Sequence, residues 1–232
     1  MTAGVLIYND SGYIQITEQF ANFVLLTKGT VNLDGTAWTN SSGGGTWVCG
    51  SHAQISVANS SGFPPLIAIQ CATEVIVFGA NLVGANWVFD IVSVYGTAHT
   101  DTITWYAFGP TPNVIPANYG LEVFKADGTL AFHSTYGPIR ITAALTAAGT
   151  TTMTAGRSCA LLMAQTSITC SGELPIGPNW SRSWNGTNIK TSSNTGTVNQ
   201  FQYCLSTNTV HFGTPGVTSG AVVVLAIDVT NY

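Results

Sequence analysis

The sequence predicts an all-β fold made of two related antiparallel β-sandwich-like domains from an internal duplication. Three observations carry this. The first is a repeated opening: residues 4–25 read GVLIYNDSGYIQITEQFANFVL and residues 120–141 read GLEVFKADGTLAFHSTYGPIRI, aligned without a gap at an offset of 116 in a chain of 232 residues. Gly4 meets Gly120, Tyr8 meets Phe124, Gly12 meets Gly128, Ile14 meets Leu130, Ile16 meets Phe132 and Phe20 meets Tyr136. The second is a succession of short apolar or alternating runs, each bounded by Gly, Asn, Ser or Pro. The third is propensity: Thr and Val abound while Lys and Glu are scarce, which favours strand over helix.

Each opening reads as strand, turn, strand. The turns are Asn9–Asp10–Ser11–Gly12 and Lys125–Ala126–Asp127–Gly128, where a glycine supplies the positive φ of a tight hairpin. In the first half, strands are predicted at Val24–Thr27, Trp47–Cys49, Ala53–Val57, Leu66–Cys71, Glu74–Phe78, Trp87–Tyr95 and Thr102–Phe108. The second half predicts Leu121–Phe124, Leu130–His133, Ile139–Thr142, Ser158–Met163, Gln200–Ser206, Thr209–Phe212 and Ala221–Val229. The alanines of Thr142–Thr151 allow one helical turn. Thr39–Thr46 and Gly172–Thr197 read as polar loops. Three prolines within Gly109–Pro116 predict an extended connector. The predicted division is therefore an N-terminal domain at 1–109, a Pro-rich linker at 110–119 and a C-terminal domain at 120–232. Each half begins with the hairpin and ends with an apolar strand, Ile103–Phe108 or Val222–Ile227. The faces Leu6/Tyr8/Ile14/Ile16 and Glu122/Phe124/Leu130/Phe132 are expected to point inward, Glu122 excepted.

Composition excludes several functions. Charged residues are 7% of the chain and the net charge is −4, against roughly 25% charged residues in an average soluble protein. The six Lys and Arg form no cluster, so neither nucleic-acid binding nor a polybasic membrane patch is predicted. The longest apolar runs, such as Val222–Ile227, fall far short of the roughly 20 residues of a membrane helix, and no membrane insertion is expected. Met1–Thr2–Ala3–Gly4 leads into a strand without a basic or apolar leader, which predicts synthesis without an ordinary export signal. Low charge also suits a subunit that hides much of its surface in an assembly.

The five cysteines are an odd number without framework spacing. Buried free thiols are the default expectation, with Cys49–Cys71 and Cys159–Cys170 as pairs that could close. Cys49–Gly50–Ser51–His52 has no second ligand pair, so neither metal nor cofactor is expected. No G-x-S-x-G is present, His52, His99, His133 and His211 are scattered, and His99–Thr100–Asp101 reads as a loop hydrogen bond. No enzyme is predicted.

The binding candidate is Pro178–Asn188. Trp180, Arg182, Trp184, Asn185 and Asn188 combine aromatic faces, on which sugar rings stack, with groups that bond hydroxyls; such clusters also anchor protein interfaces. Packing of the tryptophans within the protein is the alternative. Trp38 and Trp47, flanking Ser41–Gly45, form a weaker version of the same pattern. The Asn-X-Ser/Thr sites at Asn9, Asn40, Asn59, Asn179 and Asn185 are read as unmodified.

The segment Gly120–Ser134 resembles a G-L-x-V-[FY]-N-A-x-G-x-L-x-F-D-S opening found in small tail-region proteins of tailed bacteriophages and prophages, a family largely of unknown function. The aromatic strand Trp105–Phe108 followed by Pro110 and Pro112 is similar too. The likeness covers about a quarter of the chain and departs from the pattern at Lys125 and His133, where Asn and Asp are usual. It implies a structural component of a phage tail, in the tip, baseplate or fibre region, assembled in the host cytoplasm and carried in the virion. It implies other tail proteins as partners and a homo-oligomer obeying three-fold or six-fold tail symmetry; host-surface attachment through a cell-surface glycan is the contact that the Trp-bearing segment Pro178–Asn188 would add. A bacterial carbohydrate-binding module, or lectin, is the alternative reading.

Overall fold

The computed structural model describes residues 6–8, 14–17, 22–42, 45–59, 62–110, 120–165, 168–176, 179–208 and 222–232. These contain strands and no helix: β1 (Leu6–Tyr8), β2 (Ile14–Thr17), β3 (Phe23–Asn32), β4 (Ala37–Ser42), β5 (Gly45–Ala58), β6 (Leu66–Gln70), β7 (Val75–Val83), β8 (Asn86–Ser93) and β9 (Thr102–Pro110) in the first half. The second half contributes β10 (Glu122–Phe124), β11 (Leu130–His133), β12 (Ile141–Leu145), β13 (Gly149–Thr152), β14 (Cys159–Gln165), β15 (Ile168–Ile176), β16 (Asn179–Ser192), β17 (Thr195–Asn208) and β18 (Val223–Asp228).

The fold is all-β and every pairing is antiparallel. One sheet has the order β12-β18-β14-β6-β9-β3. The other runs β13-β17-β16-β7-β8-β5-β4, with β15 beside β16 and a further pairing of β17 with β5. Both orders are palindromic in the two halves. β3, β9 and β6 pair as β12, β18 and β14 do, and β5, β8 and β7 pair as β13, β17 and β16 do. The halves meet at β6–β14, where Ala68 faces Leu162, and at β7–β16, where Val75 faces Ile189.

The match extends to register. β1–β2 pairs Leu6 with Thr17, Ile7 with Ile16 and Tyr8 with Ile14, while β10–β11 pairs Glu122 with His133, Val123 with Phe132 and Phe124 with Leu130. Each pair sits 116 positions from its counterpart, and the bulge falls between equivalent residues, Ile7/Tyr8 and Val123/Phe124. A second shared bulge lies between Leu25 and Thr27 in β3 and between Ile141 and Ala143 in β12. Bulges are specific local devices. Two of them at one offset support a common origin of the halves.

The expected separation into two domains is revised by this topology. Each half supplies three strands to one face of a sandwich and four to the other, but hydrogen-bonded pairs join the halves in both sheets. One apolar layer runs through both, with Ile67, Ile69, Ile103, Leu161 and Val224 from one sheet packed on Ile55, Val75, Ile91, Ile189 and Val198 from the other. Alternation places these residues on facing sides of two stacked sheets. Fully burying an Ile or Leu such as Ile69, Ile91 or Leu161 contributes about 1.5–3 kcal/mol. The opposite side of the six-stranded sheet buries Ala68, Tyr106, Phe108, Leu162 and Ile227. A bridge between Val24 and Pro138 brings the beginnings of its two edge strands together.

Other expectations change as well. Thr142–Thr151 forms no helical turn: Ile141–Leu145 pairs with β18 and Gly149–Thr152 with β17, and the β-branched threonines suit that role. Thr39–Thr46 and Gly172–Thr197 are largely strand, in β4, β5, β15, β16 and β17. Residues 209–212 and 111–119 lie outside the described residues, as do the side chains of Leu6, Tyr8, Ile14 and Ile16. In the second hairpin Val123, Leu130, Ala131 and Phe132 are buried, but Phe124 is 45% exposed. The bulge shifts Phe124 out of the expected alternation. The turn takes its positive φ at Gly128, and Lys125 N–H donates to the Thr129 carbonyl across it. His133 is fully buried. Its Nδ1 accepts the Thr135 backbone N–H at 3.1 Å, the bond that a turn-forming Asp side chain would accept at this position.

The C-terminus is locked by charge. Asp228 Oδ2 accepts from Arg157 Nη1 at 2.8 Å, with Arg140 Nη1 3.9 Å away, and Oδ1 accepts the Thr230 N–H at 3.0 Å. The Arg140 guanidinium lies 4.5 Å over the Tyr232 ring, whose hydroxyl donates to the Pro138 carbonyl. Burial alone would raise the Asp228 pKa, but the Thr230 hydrogen bonds and the two guanidiniums hold it below the ordinary carboxylate value. A depressed folded pKa gives stability that is present above the unfolded value, about 3.9, and lost as pH falls through the folded one. Wild type and Asp228→Asn should therefore differ by a constant amount above about pH 5 and converge below about pH 4, read by urea unfolding across that range. In the same assay Phe132→Ala should cost about 3–5 kcal/mol and Thr129→Ala, on the exposed turn, far less.

Candidate functional site

β5 is the strand that builds the site. Its second part, His52–Ala58, pairs with β8 inside the sandwich, while its first part, Thr46–Cys49, pairs with Cys204–Thr207 of β17. Gly50 sits where one partner gives way to the other. A Cβ there would meet the Ser93 carbonyl oxygen at 2.2 Å and the Val94 oxygen at 2.4 Å, so the crossing requires glycine. Beyond it, β4, β5, β17, β16 and β15 form a five-stranded sheet end.

This sheet end unites the two Trp-bearing segments that lie far apart in sequence. Trp47 opposes Asn40 on one side and Ser206 on the other, Ser206 opposes Arg182, and Arg182 opposes Glu173. The next rows place Trp184 between Cys170 and Cys204, and Trp180 between Pro175 and Asn208. The segments 37–51, 168–176, 179–186 and 201–208 contain Trp38, Trp47, Trp180 and Trp184, and their only acidic or basic residues are Glu173 and Arg182. Pro178–Asn188 was expected as a loop, but from Asn179 onward it is strand. Serine, threonine, asparagine and tryptophan hide the alternation that marks a core strand, and pairing with β15 and β17 settles its conformation. The side chains of Trp180, Arg182 and Trp184 lie outside the described residues. Asn185 is half-buried, whereas Asn188 is fully buried beside the core residue Ile189, with no hydrogen-bond partner for its amide. Asn188 is therefore corrected from a surface contact to an interior residue.

A disulfide ties the sheet end together. Cys49 and Cys204 are directly opposed in register, with Cα atoms 4.0 Å apart. This overturns the default expectation of free thiols for Cys49 and Cys204 and the alternative of a Cys49–Cys71 pair, because antiparallel pairing of β5 with β17 brings together residues 155 positions apart. Cys71 and Cys159 are free and buried. Burial raises both thiols to about 11, with nearby carboxylates adding to the effect. A cavity of ≈ 260 Å³ lies beside the disulfide, lined by Val48, Cys49, Gly50 and the turn Tyr95–Ala98.

The sequence reading missed a polar cluster on the adjoining face. Trp38 stacks on His52 with ring centroids 4.7 Å apart and planes 11° apart. His52 Nε2 lies 2.8 Å from Asp90 Oδ1, which also accepts from Gln54 Nε2 at 3.1 Å. Behind it, Asp34 Oδ1 accepts the backbone N–H groups of His52 and Thr36, each at 3.0 Å. Burial would raise the Asp34 pKa, but these bonds and the nearby His52 hold it low. The available signal was His52 and Gln54 alternating with Ala53 and Ile55, together with an acid, Asp90, in the apolar run Trp87–Tyr95. His99 and Asp101 meet through Thr73, whose hydroxyl donates to Asp101 Oδ2 at 2.6 Å and lies 3.3 Å from His99 Nδ1. Among the described residues no group of three or more His, Cys, Asp and Glu is placed to hold a metal ion.

Comparison with protein-family models, with curated proteins and with solved structures returns no match. The sheet end is thus characterised by its own geometry. Cys49→Ala with Cys204→Ala should destabilise the oxidised protein by roughly 2–5 kcal/mol in chemical unfolding, and reduction of the wild type should reproduce the loss. Identical unfolding midpoints for oxidised, reduced and substituted protein would show that the bond carries no stability.

Proposed function

We propose that this chain is a structural component of a bacteriophage tail, in the tip, baseplate or fibre region, and that its Trp-bearing sheet end contacts the host surface. The single observation that supports this best is the sheet end itself. It is a disulfide-tied sheet that carries four tryptophans in a polar, nearly uncharged sequence. Aromatic residues with few charges mark surfaces that bind partners. The phage-like opening Gly120–Ser134 is the hairpin β10–β11, and the low charge suits a subunit with extensive neighbours. Other tail proteins and further copies of this chain around the tail axis are the proposed partners.

The Trp38–His52–Asp90–Gln54 arrangement favours a second reading, a carbohydrate-binding module. An aromatic face beside a carboxylate and an amide is suited to a sugar ring. The two readings separate by experiment. Mass spectrometry of purified virions should find the chain in several copies per particle, and its absence from particles would remove the tail assignment. On a glycan array the wild type should bind host-surface glycans, and Trp38→Ala and Trp180→Ala/Trp184→Ala should lose that binding. Binding by free protein that never enters a particle would favour the module. Particle incorporation without glycan binding would leave a purely structural role.

A further inference from the structure

The equivalence of the halves exposes one place where they were built differently. In β3 the bulged residue is Leu26, and it packs over Gly109 of β9 so closely that a Cβ on Gly109 would meet Leu26 Cδ1 at 2.6 Å. The equivalent bulged residue of β12 is Thr142, and the residue equivalent to Gly109 is Asp228 at the end of β18. The first half fills this position with apolar contact. The second half leaves an open cavity of ≈ 350 Å³ lined by Thr142, Thr151, Thr152, Thr154, Arg157 and Asp228, with Met153 as a buried apolar floor. That volume lies at the lower end of the range for small-molecule sites.

We propose that this cavity binds a saccharide unit, a neutral polyhydroxylated ring. The donors and acceptors have the required character. The Thr142 hydroxyl is used by the Ala226 carbonyl at 3.1 Å, while those of Thr151, Thr152 and Thr154 make no hydrogen bond among the described residues. Asp228 is 6% exposed and fixed by Arg157 and Thr230. Arg157, whose side chain is 51% exposed, spends one N–H group on that carboxylate and directs the remaining donors elsewhere. A guanidinium and a carboxylate held side by side can donate to one ring hydroxyl and accept from its neighbour. Arg157 and Asp228 neutralise each other within the lining, so the cavity carries no net charge, which suits a neutral ligand. Met153 supplies the apolar contact for the ring carbons.

This site stands apart from the Trp-bearing sheet end. β13 lies against Thr195–Val198, and the sheet end against Phe201–Asn208, at the opposite end of β17. The inference does not rest on a tail assignment. The test is a titration of the full chain with the methyl glycosides of glucose, galactose and N-acetylglucosamine, followed by NMR of the threonine methyl groups. At least one glycoside should shift Thr142, Thr151 and Thr154 in the millimolar range. Arg157→Gln should weaken binding by about tenfold or more. Thr142→Leu with Asp228→Gly, which installs the first half's own pair, should abolish it while thermal unfolding remains cooperative. Should that double variant not fold, Thr152→Val with Arg157→Gln carries the same comparison. Trp38→Ala should leave this titration unchanged. The proposal is overturned if no glycoside shifts these methyls, if binding survives both Arg157→Gln and the cavity-filling variant, or if acetate or phosphate binds there in preference to the glycosides.

Discussion

The molecule depends on two edge-to-edge strand pairings, β6 with β14 and β7 with β16. A half-length unit standing alone would present β6 and β7 as unpaired edges with exposed N–H and C=O groups, a template for uncontrolled association. Each half instead caps the other in both sheets. Ala68 opposite Leu162 and Val75 opposite Ile189 lie at the centres of the two palindromic orders. The same arrangement includes the shared apolar layer and the bridge from Val24 of β3 to Pro138, ahead of β12. The halves are therefore joined by hydrogen bonds in both sheets and by one apolar layer.

Much of this was legible in the sequence where burial imposes a period. The core strands Ala53–Val57, Leu66–Gln70 and Thr102–Phe108 show it because one or both faces are covered, and the repeated hairpin shows it because its turn needs glycine. The sheet end was not legible. β4 and the first part of β16 carry Thr, Ser, Asn and Trp on either side, so no apolar face marks them as strands, and the β5–β17 pairing that joins their hairpins links residues distant in sequence. The Cys49–Cys204 bond was hidden for the same reason: cysteine spacing reports local loops, and this pair is created by topology. The candidate residues fared according to this divide. Trp180, Arg182 and Trp184 do lie on one strand, separated from Trp47 by β17, but their sheet neighbours could not be named in advance. Asn188 was grouped with them by sequence proximity alone, and the fold carries it into the interior.

The two halves also show where variation is tolerated. Strand neighbours that hold the sandwich agree between the halves, and two bulges recur at equivalent places. The differences are additions at its periphery: β4 in the first half, and β15 with the extended parts of β16 and β17 in the second. These additions come from opposite halves and meet through the β5–β17 pairing and its disulfide. The sheet built from the unshared parts of the two halves closes a small core of its own, in which Cys49 and Cys204 cover Ile76 and Val92 with Trp38 packed against them.

The same reasoning applies at a single pair of positions. Leu26 over Gly109 is the economical way to close the corner between β3 and β9, since it removes apolar area from water and leaves no polar group to satisfy. The second half has the same bulge in the same place, yet carries Thr142 and a charged Asp228. Placing a carboxylate in such a corner costs solvation, and here Arg157, Arg140 and Thr230 must all be recruited to offset it. The C-terminal lock uses Arg157 and Arg140 on Asp228 and Arg140 on Tyr232, whereas the hydroxyls of Thr151, Thr152 and Thr154 make no hydrogen bond among the described residues. Their arrangement around an open cavity is extra to what the fold requires, because the other half of the molecule solves the same packing problem without them.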